Sequence, residues 1–257
     1  MASVATPAIL LRSVDFGESD RVVTLLGRDT GCVGAIARGA RKSQRRFGGG
    51  LAMCAVGEAG LRDRAGAELM TLERFDVTES HPSFGADVER MGHAAYAAEL
   101  VTKLCAPRQA EPAVYDWTLG FLGCVEALGP SAARLRVFES GLLERLGFAP
   151  SLESCAVCGR AELSTGTEID VRWVPDRGGV ICRGCGSRGR PMRPVVRVAL
   201  ARLARTRLED ADSLGLAPDV VRGCGDALGE LIASHLSAPL RSLEFLAKLG
   251  AAERAHT

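Results

Sequence analysis

The sequence predicts a multidomain chain: a small all-β barrel at the N-terminus, then an all-α region that carries an inserted four-cysteine module. Three observations point there. Short apolar runs broken by glycine and charged turns fill residues 1–80; helical spacing of apolar residues takes over after His81-Pro82; and residues 151–194 interrupt that spacing with two Cys-x-x-Cys pairs.

The N-terminal elements follow from local pattern. AILLRSV, RVVTLLG, CVGAIAR, LAMCAVGEAGLR and ELMTLERFDV are candidate strands, and Gly27-Arg28-Asp29-Thr30-Gly31 and Asp63-Arg64-Ala65-Gly66 supply turns between them. Five short strands in so little chain suit a closed barrel, because closure removes exposed sheet edges.

From residue 81 to 257 the pattern is helical. Phe84, Val88, Met91, Ala95, Ala98, Val101 and Cys105 recur at three- and four-residue steps, as do Val114, Trp117, Phe121, Val125 and Leu128. Leu135, Phe138, Leu142 and Leu146 repeat the spacing behind a Pro130-Ser131 start, which reads as a helix N-cap. Further helices are expected near Val196–Leu203, over Val220–Leu236 and over Leu240–Leu249.

Composition narrows the class. Apolar residues make up 47% and aromatics 5%, so Leu, Val and Ala must build the core. Net charge is +1, so only local patches can select a charged partner. No run of about 18 uncharged apolar residues exists, so no membrane helix is expected. The start meets Arg12 and Asp15 too early for a secretory leader. Of nine cysteines, Cys32, Cys54, Cys105, Cys124 and Cys224 stand singly in apolar contexts, as small buried hydrophobes of a reducing compartment do. A cytoplasmic protein is expected.

The other four are Cys155, Cys158, Cys182 and Cys185. Two thiolates three residues apart reach one metal from a tight turn, and Gly159 and Gly186 let the backbone bend so that amides can point at sulfur. Two such turns make a closed tetrahedral shell, the arrangement of structural zinc. IDVRWV and the turn PDRGGVI between the pairs suggest a hairpin, hence a zinc ribbon at about residues 151–194 with one zinc per chain. A closed four-thiolate shell leaves no open position for water or substrate, so its expected role is structural.

The stretch ARGARKSQRRFGGG places Arg38, Arg41, Lys42, Arg45 and Arg46 within nine residues, and no Asp or Glu occurs from Thr30 to Gly57. As a connection between barrel strands it is either a solvated loop or a grip on phosphates, with Phe47 as a surface on which a base could stack. A second zone, Arg177 to Arg207, carries nine arginines and no acid; Arg193, Arg197 and Arg205 could share a helix face. Walker, H-E-x-x-H, G-x-S-x-G and zinc-deaminase patterns are absent, and no catalytic group is nominated. The four histidines read as helix-surface or turn residues, and Glu139 and Glu144 as solvated helix positions.

Taken in order, GESDRVVTLLGRDTG, ARGARK, FGG at Phe47, the Cys₄ insertion and PLRSLEFL (Pro239 to Leu246) make the chain resemble the RecO family, bacterial recombination mediators of DNA repair, in its zinc-bearing branch. The resemblance implies an N-terminal OB-fold over residues 1–80 and a helical domain with the zinc module over 81–257. It implies a non-enzymatic protein that binds single- and double-stranded DNA, anneals complementary strands and helps load recombinase onto DNA coated with single-strand-binding protein. RecR, RecF in some systems and the C-terminal tail of the single-strand-binding protein are the implied partners. The chain departs from the family where Leu243 follows Arg241-Ser242, a place where family members often carry a cation. Two rivals stand beside this reading: a zinc-ribbon adaptor that binds protein rather than DNA, and a metal-dependent nuclease, which would need a carboxylate cluster or an open metal position.

Overall fold

The computed structural model describes residues 3–246 except 44, 48, 49, 64, 65 and 162–170. Five strands precede the first helix, and the chain forms two compact units, one holding the N-terminal residues to Gly129 with the segment from Leu240, the other Pro130–Pro239.

In the first unit β1 (Ser3–Phe16), β2 (Asp20–Gly27), β3 (Gly31–Ala37), β4 (Val56–Arg62) and β5 (Met70–Glu79) close into a barrel in the order β1-β2-β3-β5-β4. Antiparallel pairing of Ser3–Ile9 with Val56–Arg62 joins the ends of that order, and β3 meets β5 in parallel. The two-residue period is plain in Val23 and Leu25, in Val33, Ala35 and Ala37, and in Ala59 and Leu61, all of which face the core. Alanines at positions 8, 35, 37, 55 and 59 suit the narrow bore of five strands, while Phe75, Leu10 and Leu72 fill it.

Strand order dictates the long connection. β3 borders β5, and β4 lies on the far side of β5, so residues 38–55 must carry the chain past one strand before β4 can start. The crossing is anchored by backbone bonds: Phe75 N–H to Arg46 O (2.9 Å), Cys54 N–H to Leu10 O (2.7 Å) and Leu10 N–H to Ala55 O (2.9 Å). The last two fall at the irregularity between Leu10 and Arg12, where β1 leaves regular register with β2.

Three helices follow in this unit: α1 (Ser83–Ala86), α2 (Val88–Leu104) and α3 (Pro112–Leu128). Asp87 caps α2 by accepting N–H bonds from Glu89 and Arg90, and α3 starts on a proline, whose missing N–H is no loss in a first turn. Both helices pack on each other and on β1. Ala94, Ala97, Ala98, Leu100 and Val101 form the inner face of α2; Val88 and Met91, expected there, are exposed. Glu99 of α2 accepts N–H bonds from Arg241 (3.1 Å) and Ser242 (2.8 Å), capping the helical residues 241–246. His81, expected at the surface, is buried: its ring stacks on Phe84 at 4.8 Å and its Nδ1 lies 3.1 Å from Cys54 O.

The second unit is built on α4 (Ala132–Arg145), with α5 (Pro194–Leu203) and α6 (Pro218–His235) packed against it and against each other. Ser131 caps α4 through a bond from Arg134 N–H. Leu135, Phe138 and Leu142 are buried as their spacing predicts, and Val137 and Leu143 are buried beside them. Glu139 corrects its sequence reading: it is 1% exposed and pairs with Arg136 at 2.9 Å, because α4 is enclosed on most sides and lacks the solvated face a two-sided helix would have. A small sheet of β6 (Val171–Val174), β7 (Gly179–Cys182) and β8 (Arg190–Pro191), in the order β7-β6-β8, holds Trp173 fully buried. Of the strand read as IDVRWV, Ile169 and Asp170 lie outside the described residues. Among the described residues no helix is long and apolar enough to cross a membrane.

Gly31, at the β2–β3 turn, has φ +69°, and a Cβ there would sit 1.8 Å from the Gln109 carbonyl oxygen. Gly31→Ala combines left-handed strain with a backbone clash, so it is expected to lower stability by about 2 kcal/mol or more, read as a lower urea midpoint with an unchanged slope.

Candidate functional site

The four-cysteine centre is assembled from two turns and a strand end. Ser151 joins the edge of β7 through Ser151 N–H to Gly178 O (2.8 Å) and Val180 N–H to Ser151 O (2.9 Å). Gly179 is needed at that join, since a Cβ would lie 2.3 Å from Ser151 O. The first turn closes through Gly159 N–H to Cys155 O (2.9 Å), with Gly159 at φ +71°. Leu152 O accepts a bond from the buried Arg197 of α5 (3.1 Å), so the turn is tied to the helical core. Cys182 ends β7, and Cys185 closes a 3-10 turn, Arg183–Cys185, before Gly186.

These elements bring all four sulfurs within 4.8 Å of one another, with Cys158 Sγ and Cys182 Sγ 3.8 Å apart. A tetrahedral shell with Zn–S bonds of about 2.3 Å has sulfurs about 3.8 Å apart, so the donor set and its spacing fit such an ion. Burial pushes the Cys155 thiol up, but the backbone N–H groups of Cys158, Cys182 and Val157 outweigh it and hold the thiol below its ordinary range. Cys182 N–H donates to Cys155 Sγ at 3.3 Å. Cys185 moves the other way, raised chiefly by hydrogen bonding with the Cys158 and Cys182 sulfurs. The Cys155 thiolate is thus favoured while Cys185 resists ionising beside it, which is the electrostatic problem a divalent cation removes. The four cysteines can hold a metal ion.

The basic loop leaves β3 at Ala37. Gly39, at φ +65°, donates its N–H to Asp20 Oδ1 (2.8 Å), and Arg41 N–H donates to Ser19 O (3.0 Å), which fastens the loop to the β1–β2 hairpin. Gly39 N–H, with Ser19 Oγ adding, holds the Asp20 carboxyl below its ordinary value, so this anchor is charged at neutral pH. The five cations then differ. Arg46 lays its guanidinium on Arg38 O (2.8 Å) and Ser43 Oγ (3.2 Å), and Arg41 reaches Asp15 at 4.0 Å. Arg38, Lys42 and Arg45 are exposed, and among the described residues no carboxylate lies within ion-pair distance of them. The acid-free run in the sequence therefore meets acids in space, supplied by the neighbouring hairpin.

Phe47 is a correction. Its ring is 4% exposed and belongs to the barrel core with Leu51, Ala55 and Phe75, because the connection that crosses to β4 must cover the core it passes. It offers no face to a base. Gly48 and Gly49, which follow it, lie outside the described residues.

Part of the second arginine zone is paired within its own unit. Arg193 pairs with Asp219 (2.9 Å), Arg190 with Glu230 (2.8 Å) and Arg205 with Glu153 (2.6 Å), while Arg197 is buried. Arg193, Arg197 and Arg205, which could have shared a helix face, do not: α5 ends at Leu203, before Arg205, and Arg197 is buried while the other two are exposed. The acids that answer them lie far away in sequence, so a local charge count could not reveal them.

The family described as "Recombination protein O N terminal" matches residues 1–81 and "Recombination protein O C terminal" matches residues 85–244. A "DNA repair protein RecO" from Anaeromyxobacter dehalogenans strain 2CP-C is 38% identical over 253 residues, covering 97% of this chain and 98% of the relative. Another of that name from Geobacter sulfurreducens is 35% identical over 249 residues, covering 97% and 99%.

Cys155→Ser is expected to lose the bound metal and lower the melting temperature by several degrees, since metal binding and folding of so small a sheet are one process. Metal analysis of the purified chain with a thermal melt checks this; a metal-free preparation as stable as the parent contradicts it.

Proposed function

The chain belongs to the RecO family of DNA repair proteins, and from that premise we propose that it is a non-enzymatic DNA-binding and strand-annealing protein of recombinational repair. Its barrel is read as an OB-fold, which the strand order and the parallel β3–β5 contact support. The observation that carries the reading is the loop after β3, anchored to the β1–β2 hairpin, which holds Arg38, Lys42 and Arg45 exposed and, among the described residues, outside ion-pair distance of any carboxylate.

Those three cations neutralise phosphates of single- or double-stranded DNA, with Arg41 in part and Arg46 as a support for the loop. Neutralising two strands lowers their mutual repulsion and lets complementary bases meet, and no bond need be made or broken by the protein. The metal is read as one structural zinc held by Cys155, Cys158, Cys182 and Cys185; when bound it cross-links the two turns and supplies no reaction step. As a mediator the protein helps load recombinase onto DNA coated with single-strand-binding protein. RecR, RecF and the tail of the single-strand-binding protein are its proposed partners in the cytoplasm.

A protein-adaptor reading draws on Val195 and Val198, exposed on α5 at 46% and 55%. Titration of labelled oligothymidylate separates the two, because an adaptor has no affinity for it at low salt. With three to four phosphates neutralised on a single strand, log K is expected to fall against log salt with a slope of about −2 to −3. The combined variant Arg38→Ala, Lys42→Ala, Arg45→Ala is expected to flatten that slope by about 2 and to slow annealing while the thermal melt stays put. An unchanged slope removes the loop from the interface.

A further inference from the structure

Phe16 ends β1 and is 57% exposed, and Val14, two residues back on the same strand, is 43% exposed. Single exposed apolar residues are ordinary on any protein. What sets this pair apart is its position.

Cross-strand register defines its neighbours. Phe16 pairs with Asp20 and Val14 with Val22, and Val22 pairs in turn with Ile36. Residues directly opposite share a sheet face, and the alternate positions Val23 and Ala35 point into the core. Phe16, Val14, Val22 and Ile36 therefore lie on the outside of β1, β2 and β3. The pairing of Arg21 with Ala37 brings the start of the basic loop level with Asp20, next to Phe16. The bonds from Gly39 to Asp20 and from Arg41 to Ser19 hold loop and hairpin together as one surface.

Charge on this surface is divided. The hairpin carries Asp15, Glu18 and Asp20, of which Asp15 is answered by Arg21 (2.9 Å) and Arg41 (4.0 Å) and Asp20 by the Gly39 N–H. The loop carries Arg38, Lys42 and Arg45. Phosphates are drawn to the loop and kept off the hairpin, so a strand held by the loop turns its bases toward Phe16. An apolar ring beside acids has little to offer a phosphate, but it can take the π-face of a base, which every nucleotide presents.

We infer that Phe16, backed by Val14, is the platform on which an unpaired base of single-stranded nucleic acid stacks while the loop cations hold its phosphates. The inference rests on the proposed role of the loop and adds what the loop lacks: a means of telling single strands from duplex. Phosphates are common to both, whereas a duplex keeps its base faces stacked inside.

The test uses the full chain with three labelled probes of equal length: oligothymidylate, an abasic strand and a duplex. Phe16→Ala is expected to weaken oligothymidylate binding about fivefold or more, with the salt slope unchanged and with abasic and duplex binding unaltered. Phe16→Trp is expected to keep parental affinity and to show fluorescence quenching by oligothymidylate beyond that of the parent. Because Phe16 is mostly exposed, both variants should melt with the parent. Equal oligothymidylate affinity for Phe16→Ala and the parent overturns the inference, and a salt slope that still responds to loss of the loop cations would then show that the phosphate grip stands without it. No binding by the parent overturns both. Equal weakening on all three probes makes Phe16 structural, and a change in sedimentation without DNA assigns the patch to a second copy of the chain; either result also overturns the inference.

Discussion

Barrel closure is the constraint on which the first unit depends. With β3 paired to β5 and β4 to β1, every strand has two neighbours, and no edge is left to template aggregation. The same order denies β3 and β4 a short hairpin, so residues 38–55 must cross β5 before β4 begins. The crossing segment therefore serves two masters. Phe47, Leu51 and Ala55 fill the core it passes over, while Arg38, Lys42 and Arg45 face water. A loop that had only to be soluble would not need backbone anchors to Ser19, Asp20 and Phe75; one that must present cations at fixed positions does.

The second unit meets a different constraint. The small sheet β6–β8 is short for its own apolar content to stabilise it, and the burial of Trp173 and the Arg197 bond to Leu152 O tie this region to the helices beside it. Arg190, Arg193 and Arg205 near it pair with Glu230, Asp219 and Glu153. Ion pairs at this level of exposure each contribute little, but they fix side chains that would otherwise be free to meet an anionic ligand. The two arginine-rich stretches look alike as text and differ in what the fold places against them.

That difference marks how far local sequence carries. Cys-x-x-Cys spacing is a property of neighbouring residues, so the clustering of the four cysteines was legible. Strand alternation and helix spacing were legible for the same reason, and the inner face of α4 followed from its period. Phe47 was misread because its burial depends on the non-local β3–β5 pairing, and Val88 and Met91 because the barrel and α3, not α2 itself, decide which side of α2 is covered. Glu139 needed knowledge that α4 is enclosed. Phe16 passed unnoticed for the converse reason: the first strand was read as AILLRSV, which stops at Val14, and only the register of the hairpin shows that β1 runs on to Phe16 with Val14 and Phe16 outward beside the basic loop.

Amide chemical-shift mapping of the isotopically labelled chain, titrated with oligothymidylate, reads the proposed interface directly. Perturbations are expected to concentrate at residues 14–20, 38–43 and Arg45, with the four-cysteine turns and α5 unmoved. Perturbations confined to the unit spanning Pro130–Pro239, with the hairpin and loop silent, would contradict the assignment of DNA binding to the barrel.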